Sequence, residues 1–116
     1  MQYLLMLFCD EAGWSKMTET EQKQAVADYT AFNEALTAAG AFKAANRLQP
    51  TSTAKTVRVA NGKRQVLDGP YAESKEQLGG YFLIDVPDLE AALAWAARCP
   101  AASHGVIEVR PGWCCS

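Results

Sequence analysis

A single histidine, His104, is present among 116 residues, and the four cysteines, Cys9, Cys99, Cys114 and Cys115, form no C-x-x-C pair. Neither a zinc site nor a disulfide framework is expected from that spacing, and no G-x-G-x-x-G or P-loop string is present to cradle a nucleotide phosphate. Cofactors are therefore expected to be none, and a metal site likewise. Excess positive charge is also lacking: 11 Lys and Arg stand against 13 Asp and Glu, for a net charge of -2 and a pI near 5.3. That balance argues against direct nucleic-acid binding. Long hydrophobic runs are missing too, since the opening "MQYLLMLFC" is too short to cross a bilayer and has no basic n-region or small-residue cleavage site. It reads as a first strand in a cytoplasmic protein with no membrane partner. No repeat, linker or low-complexity segment divides the chain, whose length suits one domain over residues 1–116 with a short tail at 111–116. Cys9 and Cys99 read as small buried hydrophobes, Cys114 and Cys115 as tail residues.

What is there is 49% hydrophobic and patterned. Residues 2–9 are apolar throughout, as expected of a central strand covered on both faces. Thr18 and Glu21 make a capping box for a helix whose core stripe is Ala25, Tyr29, Phe32, Leu36 and Ala39, ended by Gly40. A strand over "AFKAANRLQP" follows, then a hairpin over "TVRVANGKRQVLDG", turned by Asn61-Gly62 with one wet face. "GGYFLIDV" is a second central strand, Asp88 caps a helix with Leu89, Ala92, Leu93 and Ala96 inward, and "GVIEVR" is the last strand. The order is β-α-β, an inserted hairpin, then β-α-β. Right-handed crossovers then give a ferredoxin-like α+β fold, an antiparallel sheet with two helices on one face. The other face needs cover, to which Tyr3, Tyr81 and Trp95 can contribute, and a homodimer through it is the expected solution.

The stretch "VLDGPYAESKEQLGGYFLIDV", residues 66–86, carries more charged chemistry than a connection needs. In this topology it lies at the end of the first strand, facing Asp10, Glu11 and Trp14, with Arg47 and His104 brought to the same edge. Acids and cations around an aromatic wall furnish a pocket for a small polar molecule. An Asp beside His104 could move protons, since a carboxylate orients imidazole and raises its pKa. The structural alternative is that Asp68-Gly69-Pro70 is turn chemistry, that Ser74 and Gln77 cap a short helix ended by Gly79-Gly80, that Asp10 and Glu11 are solvated loop acids, and that Arg47 pairs with Glu73 or Glu76.

The string "LDGPYAESKEQLGGYFLIDVPDLEAALAWAARCP" followed by "GVIEVRP", with "YLLMLFCDEAGW", "AAGAFKAANRLQP" and "TVRVANGK" before it, resembles the YCII-related family, in particular a branch with a D-G-P-F motif. Here that motif is Asp68-Gly69-Pro70-Tyr71, the tyrosine adding a hydroxyl, and Glu73, Lys75, Glu76, Gly79 and Gly80 match the rest of it. The resemblance implies a dimeric α+β barrel, shared with cofactor-independent enzymes of the muconolactone isomerase type. It implies no assigned reaction. It does imply an Asp-His active site, which carries over to Asp68; His104 lies outside the matching motif. It further implies association with an extracytoplasmic-function sigma factor. Two readings follow. One is a small-molecule pocket, a cofactor-independent lyase or isomerase with Asp68, His104 or Asp10 as acid or base, and Arg47, Tyr71, Glu73, Lys75, Glu76 and Trp14 binding the substrate. The other is a non-enzymatic regulatory module that uses the same loop to dock on a sigma factor. The sequence does not choose between enzyme and adaptor.

Overall fold

The apolar run at the start of the chain forms β1 (Gln2–Cys9) in the computed structural model, which describes residues 1–113. A short helix α1 (Glu11–Lys16) and the long α2 (Glu19–Ala38) follow. The Thr18–Glu21 capping box is formed in both directions, and Gly40, at φ 71°, takes the left-handed conformation that ends α2. The remaining order is β2 (Phe42–Arg47), β3 (Lys55–Ala60), β4 (Lys63–Asp68), β5 (Gln77–Asp85), α3 (Leu89–Arg98) and β6 (Val106–Pro111). The main sheet runs β2-β5-β1-β6, while β3 and β4 pair only with each other, through a turn in which Asn61 and Gly62 both have positive φ. All three ladders of the main sheet are antiparallel. That strand order is the ferredoxin-like one.

Register decides which side chains meet the helices. Tyr3, Leu5 and Leu7 lie opposite Ile84, Phe82 and Gly80, so successive pairs alternate between the helix-covered face and the open face. The core closes over the covered face with Phe32 and Leu36 of α2 and Ala92 and Ala96 of α3. Phe32 meets Phe82 edge to face, with ring centroids 5.0 Å apart, the geometry that aromatic quadrupoles favour. The open face presents Leu4, Met6, Phe8, Tyr81 and Leu83, set there by the same alternation.

Several expectations change. Tyr3 and Trp95 do not cover the open face: Tyr3 is buried in the core and Trp95 packs against it from α3, because the parity of residue 3 follows Leu5 and Leu7. Only Tyr81 of the three is on the open side. Leu89 and Leu93 of α3 are exposed; the alanines face the sheet and let the helix approach closely. Residues 74–77 form no helix. Instead β5 begins at Gln77, and the Ser74 carbonyl accepts a hydrogen bond from the Gln77 side-chain amide at 2.8 Å. Conversely, residues 11–16, to which the sequence pattern assigns no element, form α1, started by the Asp10 carboxylate on the Ala12 N–H at 2.9 Å. The tail is shorter than expected, since Pro111 still belongs to β6; Cys114 and Cys115 lie outside the described residues.

The Gly79-Gly80 pair now has a geometric explanation. Leu7 faces Gly80 while Phe8 faces Leu78, so Gly79 is the extra residue of a β-bulge. A Cβ at residue 80 would lie 2.8 Å from the Asn46 carbonyl oxygen, a backbone atom, whereas one at residue 79 would meet only the Leu7 carbonyl oxygen at 3.9 Å. We expect Gly80→Ala to lose about 1–3 kcal/mol of stability through overpacking against β2 and Gly79→Ala to lose less than Gly80→Ala. Urea unfolding of the two variants beside the wild type measures the difference, and equal losses would contradict the bulge assignment.

Candidate functional site

Antiparallel pairing places Cys9 beside Gln77, Phe8 beside Val106, and Arg47 beside Gly80. The ends of β1 and β2 and the starts of β5 and β6 therefore share one edge of the sandwich, as the topology requires. Glu11, anticipated as facing the 66–86 loop or as a solvated acid, ties this edge together. Its carboxylate accepts from the Thr51 N–H at 2.7 Å and the Thr51 hydroxyl at 2.9 Å, and its own N–H donates to the Gln77 side-chain oxygen at 3.0 Å. One residue of α1 thus fixes the loop after β2 and the start of β5.

Arg47 and Trp14 are brought together: the guanidinium sits 4.3 Å from the centroid of the indole ring. Trp14 is held from behind by the Gln22 side-chain amide, which donates to its carbonyl at 2.9 Å. Among the described residues, no carboxylate lies within ion-pairing distance of Arg47, so the bridge to Glu73 or Glu76 offered by the structural alternative is not formed. Stacking orients a guanidinium and leaves its edge free to donate.

The D-G-P segment behaves differently. Asp68 closes the β3–β4 ladder opposite Lys55, and its carboxylate is ion-paired with the Lys55 ammonium while remaining 87% exposed. Gly69, at φ 98°, donates to the Ala54 carbonyl at 2.8 Å and accepts from the Thr56 hydroxyl at 2.8 Å. Hence Asp68-Gly69 locks the base of the hairpin. Tyr71, Glu73 and Lys75 are exposed and Glu76 is half-buried. His104 is exposed, its Nδ1 3.4 Å from the Ser103 hydroxyl. Among the described residues, no hydrogen bond or ion pair joins His104 to Asp68 or Asp10.

Three groups near the edge lay outside the predicted set. Cys9 is half-buried, Cys99 is buried, and Tyr29 packs against the core with its ring stacked parallel to Phe82 at 6.5 Å. Burial pushes the Cys99 thiol up to about 11, and burial followed by the nearby Glu76 charge raises that of Cys9. Tyr29 is also raised, first by burial and then by the nearby Cys99 and Cys9 groups, opposed by the polar Ala101 backbone and by the Arg47 charge. The sequence signal for Tyr29 was a hydroxyl on an otherwise apolar helical stripe. No spacing rule marks Cys9 and Cys99, whose proximity arises where the turn at Pro100–Ser103, just after α3, packs against β1.

Two shallow grooves flank α2. One, of about 360 Å³, is lined by Trp14, Glu19, Gln22, Lys23 and Val26. The other, of about 490 Å³, is lined by Thr30, Asn33, Glu34, Thr37, Ala38 and Phe42. The first shares Trp14 with the Arg47 stack; neither is lined by the 69–76 segment.

The architecture defines an α+β protein of ferredoxin-like topology with a hairpin inserted between its halves. The chain belongs to the YCII-related domain family, whose sequence model matches residues 1–113. It is 38% identical over 113 residues to an uncharacterised protein of Rhizobium meliloti (strain 1021), covering 96% of this chain and 91% of that one.

Raised thiol and phenol pKa values carry a pH dependence of defined sign. Cys99 and Tyr29 bind their protons more tightly when folded, so their contribution to stability is complete below the unfolded-state values and is lost as pH rises through the folded ones. We expect the melting temperature to fall as pH rises from 9 toward 11, the range between the ordinary Cys99 value of 9.0 and its folded value of about 11. Cys99→Ala should flatten that fall; circular dichroism melts from pH 7 to 11 measure it, and an equally steep fall in the variant would contradict the assignment to Cys99.

Proposed function

We propose that this protein binds a small anionic molecule at the corner formed by Arg47, Trp14 and the adjoining groove. The observation that carries this reading is the guanidinium of Arg47, stacked 4.3 Å from the Trp14 ring centroid. A guanidinium oriented by an aromatic face is preorganised for the paired oxygens of a carboxylate or phosphate, and the shallow groove beside Trp14 adjoins it. Lys23 on its wall is ion-paired with Glu19 at 3.6 Å, which leaves Arg47 as the cation on which the reading relies.

If chemistry occurs there, it is acid/base chemistry of the cofactor-independent lyase or isomerase kind, and Asp10 is the group best placed for it among Asp10, Asp68 and His104. Asp10 caps the same short helix that carries Trp14, whereas Asp68 is engaged by Lys55 at the hairpin. The working unit in this reading is a homodimer, with the apolar open face of the sheet covered by a second copy.

A thermal-shift screen against small carboxylates and phosphates tests the reading. A ligand near 100-fold above its Kd stabilises a folded protein by about 2.7 kcal/mol, a shift of several degrees for a chain of this size. Hits should vanish in Arg47→Ala and weaken in Arg47→Lys, while persisting in Asp68→Ala. Hits that survive Arg47→Ala, or that are lost only in Asp68→Ala, would move the site to the D-G-P segment and overturn the assignment.

A further inference from the structure

The β3–β4 hairpin is an anomaly in this molecule. It forms its own two-stranded sheet, every residue of β4 is exposed, and its apolar side chains are uncovered, with Val57, Val59, Val66 and Leu67 between 48% and 67% accessible. Val57 faces Val66 across the ladder, and Val59 lies on the same face opposite Arg64. A lone two-stranded hairpin is marginal in water, and adjacent exposed valines on an unpaired ladder invite association.

Charge is distributed unevenly. Residues 55–68 hold four of the eleven Lys and Arg residues, Lys55, Arg58, Lys63 and Arg64, but one of the thirteen acids, Asp68, for a net charge of +3. The remainder of the chain therefore carries -5. A basic apolar arm on an acidic body complements another copy of that body, and such complementarity steers and orients association.

The surface is also too large for a molecule of this mass. A compact monomer of 12.6 kDa exposes about 6,200 Å², whereas this chain exposes 8272 Å². The radius of gyration, 16.2 Å, exceeds the roughly 13 Å of a compact chain of this length. The excess of about 2,000 Å² is of the order that each subunit of an obligate dimer hides.

We propose that the β3–β4 hairpin is a clasp that lays its valine face and basic side chains on a second copy of this chain. The inference rests on the homodimer proposed above, but adds the arm as a determinant of it. In a twofold assembly each protomer gives one arm and receives one. The hairpin then gains the cover it lacks, and the Asp68–Lys55 pair and Gly69 hold its two legs together at the base.

Sedimentation velocity of the full chain tests this, with Val57→Lys/Val59→Lys and, as a second variant, Arg58→Glu/Arg64→Glu. All four side chains are exposed, so far-UV circular dichroism should match the wild type. The wild type should sediment as a dimer, each double variant should dissociate at concentrations at least 100-fold higher, and wild-type amides of residues 55–68 should gain hydrogen-exchange protection as the dimer forms. A wild type that stays monomeric throughout would remove the homodimer itself. A dimer equally tight in both variants, with the hairpin amides unprotected, would leave the homodimer and remove the clasp. Hairpin protection that appears only on adding duplex DNA or an extracytoplasmic-function sigma factor would also overturn the proposal, by assigning the arm to another partner.

Discussion

Pairing of β1 on both of its edges is the constraint on which this structure depends. A strand hydrogen-bonded to β5 on one side and β6 on the other has no free edge, and its apolar residues then divide between the two faces of the sheet. Its parity commits Tyr3, Leu5 and Leu7 to the helices and Leu4, Met6 and Phe8 to the open side. A slip of one residue would exchange the two sets. The bulge at Gly79 and the close approach of Gly80 to Asn46 hold that register where the sheet meets the loops. The glycine pair is therefore part of the sheet's alignment.

The same edge collects the groups with chemical potential. Glu11, by holding Thr51 and Gln77 at once, couples α1 to the loops on either side, so Trp14 is presented to Arg47 by a braced helix. Cation stacking of this kind is worth about 0.5–2 kcal/mol, less than the burial of a single core leucine. Its importance is orientation: a guanidinium held flat against indole offers its donors in a fixed direction. The D-G-P string has a different role in the geometry, closing the hairpin through Lys55, Ala54 and Thr56. A conspicuous motif and the stacked guanidinium thus occupy neighbouring but separate positions.

The hairpin and the body differ in composition as well as shape. The body buries an apolar core without a buried charged residue among those described, while the hairpin carries most of its apolar side chains outward beside a concentration of positive charge. Such a segment gains little from its own fold. Its stability and its use both point to a surface outside the protomer.

The sequence by itself determined the fold class, because element order follows from local signals: the Thr18–Glu21 box, the Asn61-Gly62 turn, Asp88 before α3 and the apolar runs that become β1 and β5. Handedness of the crossovers then leaves one strand order, and with it the shared edge of Asp10, Arg47 and His104. The stacking of Arg47 on Trp14, the proximity of Cys9, Cys99 and Tyr29, the capture of Thr51 by Glu11 and the outward turn of Leu89 and Leu93 were decided only in the tertiary structure. Each depends on distances between residues far apart in the chain and on which side of a strand or helix a side chain emerges. Short-range periodicity specifies neither when apolar residues occupy both faces, as in β1, or when small alanines compete with leucines for the core, as in α3. Residues 74–77 show the converse: a local capping pattern read as helix was overridden because Gln77 gains a ladder partner in Cys9, and a cooperative sheet outweighs a single capping turn.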